Sequence, residues 1–174
     1  RRSIQLQVLR PDVEIVPLRG NVPTRIQKLQ NLDGIILAEA GLLRLGLEQP
    51  PRYIFSADEL LPAVGQGVIG VECRSEDARV LSYLSALNDL PTAFCVAAER
   101  AVNEALNGGC QMPLAALAVV EAGHLQLEAR VGCLQKRAYL SAHVQGSVNE
   151  AQSLGKKAAE QLLQQGAGDI LDQI

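Results

Sequence analysis

Apolar positions along this chain recur at two spacings, and segments of each kind follow one another in a definite order. Ile4, Val8 and Leu9 have helical spacing and stop before Pro11. Val13, Ile15 and Val16 then predict a strand ending at Leu18. Val22, Ile26 and Leu29 return to helical spacing in VPTRIQKLQ, with Asn21 as N-cap and Pro23 in the first turn. GIILA predicts a short strand of the buried, parallel kind, AGLLRLGL a further helix, and PPRYIF a turn and one more strand. Strand and helix alternating at this pitch predict a three-layer α/β unit.

The pattern changes after residue 60. LPAVGQGVIGVECR predicts a glycine-bearing turn leading into a mostly apolar strand with no obvious partner nearby in sequence. Helix resumes from Ser75, with a break between Asn88 and Pro91. PTAFCVAAERAVNEAL is the longest helical pattern, with Gly108 and Gly109 placed as its C-cap and Cys95 inside it as packing. Three strand patterns follow: LAALAVVEA, HLQLEARVG and RAYLSAHVQ, the first two joined by a tight turn at Ala122 and Gly123. A helix over 150–164 and a short apolar tail at Ile170 and Leu171 complete a small α+β domain.

Length and composition restrict the functions on offer. A chain of 174 residues, 48% hydrophobic and 20% charged, describes a globular protein of one or two small domains. Five aromatic side chains and a net charge of −3 argue against a nucleic-acid binder. No apolar run reaches membrane-spanning length, and the N-terminus is not a signal peptide. The cysteines, Cys73, Cys95, Cys110 and Cys133, form no close pair. That spacing fits neither a zinc site nor a redox CxxC motif, so reduced thiols in the cytoplasm and no metal are expected.

Two features carry candidate chemistry. Arginine outnumbers lysine twelve to four, and the guanidinium fork grips carboxylates and phosphates at two points. Arg19 and Arg25 flank one expected strand-to-helix turn, Arg44 lies one turn into the helix after another, and Arg1 and Arg2 open the first helix. Ligands of α/β units bind at such turns, so the five can line one crevice; as ordinary solvated surface charges they need no further account. The second feature is Cys110 in LNGGCQMP, where two glycines keep side chains away from the sulfur. That suits a thiol carrying something bulky, although a free cysteine is commonly a small buried hydrophobe.

RR followed by LRGNVPTR, then LPAVGQGVIGVECR, then AERAVNEALNGGCQMP resemble, in order and spacing, the porphobilinogen deaminase (hydroxymethylbilane synthase) family. The resemblance runs through essentially all 174 residues. It implies a transferase that joins four porphobilinogen molecules head to tail with loss of ammonia, then releases hydroxymethylbilane by hydrolysis. It implies a dipyrromethane primer held by a thioether at Cys110, with Arg1, Arg2, Arg19, Asn21, Arg25, Arg44, Gln66 and Gly67 as cofactor- and substrate-binding residues. The acetate and propionate groups of each pyrrole make the growing chain a polyanion, which gives the arginines a chemical reason. A charge pair at ~4 Å is worth about 4 kcal/mol at an effective dielectric near ~20, before desolvation, so several are needed. Arg100 of AER also matches a family position, with a structural ion pair as its simpler role. His124 and His143 belong to no family motif and read as surface or packing residues.

The same resemblance implies a periplasmic-binding-protein-like three-layer α/β domain, present in part, and a monomeric enzyme. Residues 1–61 correspond to most of the second domain, 62–76 to a strand returning to a first domain, and 77–174 to the C-terminal domain. The family's catalytic aspartate lies in a leading segment with no counterpart here, and Asp12, Asp33 and Asp58 fall outside the matching motifs. A fragment, inactive alone, is therefore expected, with an apolar strand edge left bare in GVIGVEC. Leu43 stands where some relatives carry a basic residue. Two rivals from other classes are a polycarboxylate-binding module without chemistry and a cysteine hydrolase. The hydrolase needs a base near the sulfur, and neither histidine is placed to supply one.

Overall fold

The computed structural model describes residues 1–47, 52–109, 112–133 and 135–172. Its ordered elements are helices α1 (Arg2–Leu9), α2 (Val22–Gln27), α3 (Glu39–Arg44), α4 (Ala78–Ser85) and α5 (Leu90–Ala105), strands β1 (Leu114–Glu121), β2 (His124–Cys133) and β3 (Ala138–Ser147), and helices α6 (Ala151–Gln164) and α7 (Ala167–Leu171). The chain is thus a mixed helix and strand protein with a three-stranded antiparallel sheet in the order β1-β2-β3. Tertiary contacts divide it into two compact units, one of Arg1–Pro11 with Ala57–Ile174, the other Asp12–Ser56.

The helix starts follow local chemistry. Asp77 caps α4 by accepting from the Val80 amide at 3.0 Å, and Asp89 caps α5 by accepting from Thr92 at 2.9 Å. The break expected between Asn88 and Pro91 falls between these two helices, with Pro91 in the first turn of α5. The hairpin between β1 and β2 turns on Ala122 and Gly123, both at positive φ (49° and 79°), which matches the right-handed twist of the flanking strands.

One face of the sheet carries the main core. Leu125, Leu127, Ala129 and Val131 of β2 pair in turn with Val120, Ala118, Ala116 and Leu114 of β1, and Leu127 and Ala129 pair also with Val144 and Ala142 of β3, all under α5 and α6. Small residues let those two helices pack closely. A side-chain carbon added at Gly155 of α6 would run into the Ala98 carbonyl and the Ala101 methyl of α5. The last half of β2 is buried on both faces because α1 lies across the back of the sheet. Ile4 of α1 fills the space over Gly132, where an added carbon would lie 2.7 Å from its Cδ1.

That back face also holds a buried cation. Arg130 is 6% exposed and donates to Glu128 Oε1 (2.6 Å), Gln5 Oε1 (2.9 Å) and the Asp58 carbonyl (2.7 Å), with its guanidinium 4.8 Å from the Tyr139 ring centre. Gln5, also buried, exchanges two hydrogen bonds with the Leu61 backbone, at 3.0 and 2.9 Å. One network therefore ties α1, residues 58–61 and β2 together. The sequence expectation grouped residues 1–61 as one domain and 62–76 as a separate strand; the contacts group α1 and residue 57 onward with the sheet.

Four expected strands are not formed. Residues 13–18, 34–38, 52–55 and 67–73 carry no sheet pairing among the described residues, and Pro50 and Pro51 lie outside them. The reason is physical: a strand is defined by a partner, and no described segment pairs with these. Val68, Ile69 and Val71 are exposed, Ile69 at 81%, as expected of an apolar segment without a neighbouring strand. Among the described residues, Asp12–Ser56 accordingly contains α2, a 3-10 turn over Lys28–Asn31, and α3, without a sheet.

Two stability changes follow. Gly155→Ala is expected to destabilise by ~1–3 kcal/mol through overpacking, although alanine is normally the better helix former by ~1 kcal/mol. Urea unfolding reads the sign. Arg130→Met is expected to cost about 3 kcal/mol, because it strands the Glu128 carboxylate and frees Asp58 and Gln5. A loss below 0.5 kcal/mol, of the size an exposed pair gives, overturns that account.

Candidate functional site

In the larger unit the chain approaches the GQG motif along a stitched path. Leu61 is buried, the Pro62 carbonyl accepts from the Ala116 amide at 3.1 Å, and Val64 packs against the core. A turn over 64–67 follows, with Gly65 and Gly67 at φ 67° and 88°, a conformation that favours glycine. Gln66 closes it: its amide donates to the Ala63 carbonyl at 3.0 Å and its Oε1 accepts from the Ala63 amide at 3.2 Å. Gln66 and Gly67 are exposed, and among the described residues no atom lies within 4 Å of a side-chain carbon placed on Gly67.

Glu99 of α5 anchors this turn. It is 5% exposed, and its carboxylate accepts from the Gly65 amide at 2.7 Å and from the Ala118 amide of β1 at 2.9 Å. Burial raises its pKa above the ordinary glutamate value of 4.5, and the two backbone hydrogen bonds oppose that shift without cancelling it.

The end of α5 differs from the expected glycine cap. Asn107, at φ 51°, takes the left-handed position, the Gly108 amide donates to the Asn103 carbonyl at 2.7 Å and the Asn107 amide to Glu104 at 3.1 Å. Asparagine tolerates this conformation better than most residues, so the cap moves one position toward the N-terminus. Gly108 is needed for a different reason: a side chain there would collide with that of Asn103, whose Nδ2 donates to the Gly108 carbonyl at 2.8 Å. Among the described residues, no atom lies within 4 Å of a side-chain carbon placed on Gly109. Cys110 and Gln111 lie outside the described residues.

Arg1 reaches the far side of this stretch. Its Nε donates to the Met112 carbonyl at 3.1 Å, and the Met112 amide donates to Gly109 at 3.1 Å. The docking of α1 by the Arg130 network thus brings Arg1 to the residue two positions beyond Cys110. Arg2 is exposed on the same helix.

The smaller unit holds the other candidates. Asn21 caps α2 as expected, its Oδ1 accepting from Thr24 at 2.9 Å. Arg25 Nε donates to the Gly20 carbonyl at 2.8 Å, which leaves the terminal guanidinium nitrogens for other partners. Lys28 Nζ donates to the Arg19 carbonyl at 3.0 Å. Arg19 and Arg44 are exposed, Arg44 in the last turn of α3. The structure therefore places Arg1, Arg2, Gln66 and Gly67 in one unit and Arg19, Asn21, Arg25 and Arg44 in the other. Arg100 is exposed, without an ion pair among the described residues.

Sequence reasoning missed Glu99, Asn103, Gln5 and Arg130. For Glu99 a signal existed. It continues the stripe of Cys95, Val102 and Leu106 at helical spacing, so a charge was written into an apolar face. Nothing local marks Gln5 or Arg130, because each is buried against the other's element, helix α1 for Arg130 and strand β2 for Gln5, more than a hundred residues away.

Two family models match this chain: "Porphobilinogen deaminase, dipyromethane cofactor binding domain" over residues 1–82, and "Porphobilinogen deaminase, C-terminal domain" over residues 93–164. Porphobilinogen deaminases of two Coxiella burnetii strains, Dugway 5J108-111 and CbuK_Q154, are each 45% identical over 176 residues, covering 100% of this chain and 57% of the relative. That of Ruthia magnifica subsp. Calyptogena magnifica is 43% identical over 173 residues, covering 98% and 57%. The chain belongs to the porphobilinogen deaminase family. It spans about 57% of the length of these relatives.

The raised pKa of Glu99 fixes a sign for pH dependence. The folded protein keeps this proton to higher pH than the unfolded chain, so the contribution to stability is full below 4.5 and is lost as pH rises through the folded value. Denaturant unfolding of the wild type and Glu99→Gln, measured from pH 4 upward in roughly half-unit steps, is expected to show this decline in the wild type alone. Parallel curves for the two proteins contradict it.

Proposed function

We propose that this chain is part of a porphobilinogen deaminase that builds hydroxymethylbilane from four porphobilinogen molecules on a dipyrromethane primer attached at Cys110. One observation carries the reading: both family models fall on this chain in order, the cofactor-binding domain first and the C-terminal domain second. The catalytic aspartate that the resemblance implies belongs to a segment matched by no residue of this sequence.

The residues present fit the chemistry of such a primer. A pyrrole chain bearing acetates and propionates calls for cationic forks and exposed amides with room beside them. Arg2, Arg19 and Arg44 are exposed, Arg25 keeps its terminal nitrogens for a further acceptor, and among the described residues Gly67 and Gly109 border open space. When bound, the primer supplies the nucleophilic pyrrole carbon to which substrate units are added. Arg1, Arg2, Arg19, Arg25 and Arg44 neutralise carboxylates, Asn21 orders the turn that presents Arg19 and Arg25, and Gln66 and Gly67 offer an uncrowded surface. A thioether at Cys110 resists water, so the primer stays while product leaves.

We place the Asp12–Ser56 unit in a periplasmic-binding-protein-like α/β domain of the whole enzyme, with 67–73 as a strand of another sheet. The exposed apolar side chains of Val68, Ile69 and Val71 support this, since pairing would cover them.

Intact mass measurement of the protein as its gene encodes it tests the proposal. The expected result is an added mass of two linked pyrroles, absent from Cys110→Ser. A bare polypeptide from an active preparation overturns it. Carboxylate binding that persists unchanged in Cys110→Ser, without an adduct, points instead to a binding module.

A further inference from the structure

We infer that Glu99 is a positioning residue that holds the turn over 64–67 against helix α5 and strand β1. The inference rests on the reading of Gln66 and Gly67 as cofactor-side residues.

Three observations converge on it. First, the carboxylate is buried, and each of its oxygens takes one backbone amide, Gly65 on one side and Ala118 on the other. An ionised carboxylate is acceptor-only, so it joins two donors from separate segments; a glutamine presents one carbonyl oxygen and would turn an NH2 toward the other amide. Second, Gly65 is where the anchored path ends. Leu61, Pro62 and Val64 are tied to the sheet or core, whereas residues 66–71 are exposed. Glu99 sets the place from which Gln66 and Gly67 project. Third, the same helix controls the other glycine motif. Asn103, four residues on and about 6 Å along the axis, holds Gly108 by its side-chain amide. Both motifs are thereby referenced to one rigid element, and a change in one of these two side chains alters the separation between them.

The test compares wild type and Glu99→Gln of the protein as its gene encodes it. Amide hydrogen exchange is the first readout. In Glu99→Gln the Gly65 amide is expected to exchange at least about tenfold faster, with Leu125 and Ala142 in the core at wild-type rates. The second readout is the fraction of chains carrying the two-pyrrole adduct, expected to fall severalfold in the variant, with kcat falling more than KM rises. Unchanged Gly65 exchange overturns the positioning role. Faster exchange with full adduct occupancy and unchanged kcat also overturns it, because the tie is then structural only. If Glu99→Gln does not fold, the wild type decides: a Gly65 amide as fast as that of Gly67 overturns the restraint, and a slower one supports it. A wild type that never carries an adduct overturns the functional reading beneath the inference, while the exchange arm still reports on the turn, so the two failures are separable.

Discussion

Burying the Arg130 guanidinium is the constraint on which the larger unit depends. A cation removed from water needs its donors satisfied, and no single element of this chain could do so. Glu128 comes from its own strand, Gln5 from a helix at the other end of the sequence, and the Asp58 carbonyl from the segment leading to Leu61 in the same unit. Each partner is placed only if α1 crosses the back of the sheet. Once it does, Ile4 covers Gly132, Gln5 closes on the Leu61 backbone and Arg1 reaches Met112. One electrostatic requirement thus sets the position of a residue read as part of the binding site.

Helix α5 does comparable work on the opposite face. Its apolar side, with Ala98 and Val102, packs against the sheet and α6. Its polar residues point to both glycine motifs, Glu99 to Gly65 and Asn103 to Gly108. The division of labour suits the proposed role of holding a covalently attached polyanion. Flexible, uncrowded backbone is needed beside the ligand, and rigid anchoring is needed immediately behind it. Gly67 and Gly109 meet the first requirement, and the α5 side chains meet the second.

How much was legible depended on range. The Asn21 cap of α2, the break between α4 and α5, the Ala122 and Gly123 turn, the three strands of the sheet and α6 were readable because each is decided by neighbours within a few residues. The α5 terminus was misplaced by one residue because Asn107, instead of a glycine, adopts the left-handed conformation. The expected strands over 13–18, 34–38, 52–55 and 67–73 are unpaired among the described residues for a different reason. Alternation and apolar runs report a preference for extended chain, but pairing requires a partner, and pairing is a property of the whole fold.

The sequence by itself determined the family, the candidate arginines, the GQG turn and Cys110, since motif order and spacing survive without coordinates. Only the tertiary structure decided that α1 joins the sheet, that Arg130 and Gln5 are buried together, and that Glu99 serves as an anchor where Arg100 beside it faces solvent. Local propensity is written in adjacent residues. The cost of burying a charge or an amide is settled by whichever distant groups fold around it, and no window of the sequence contains them.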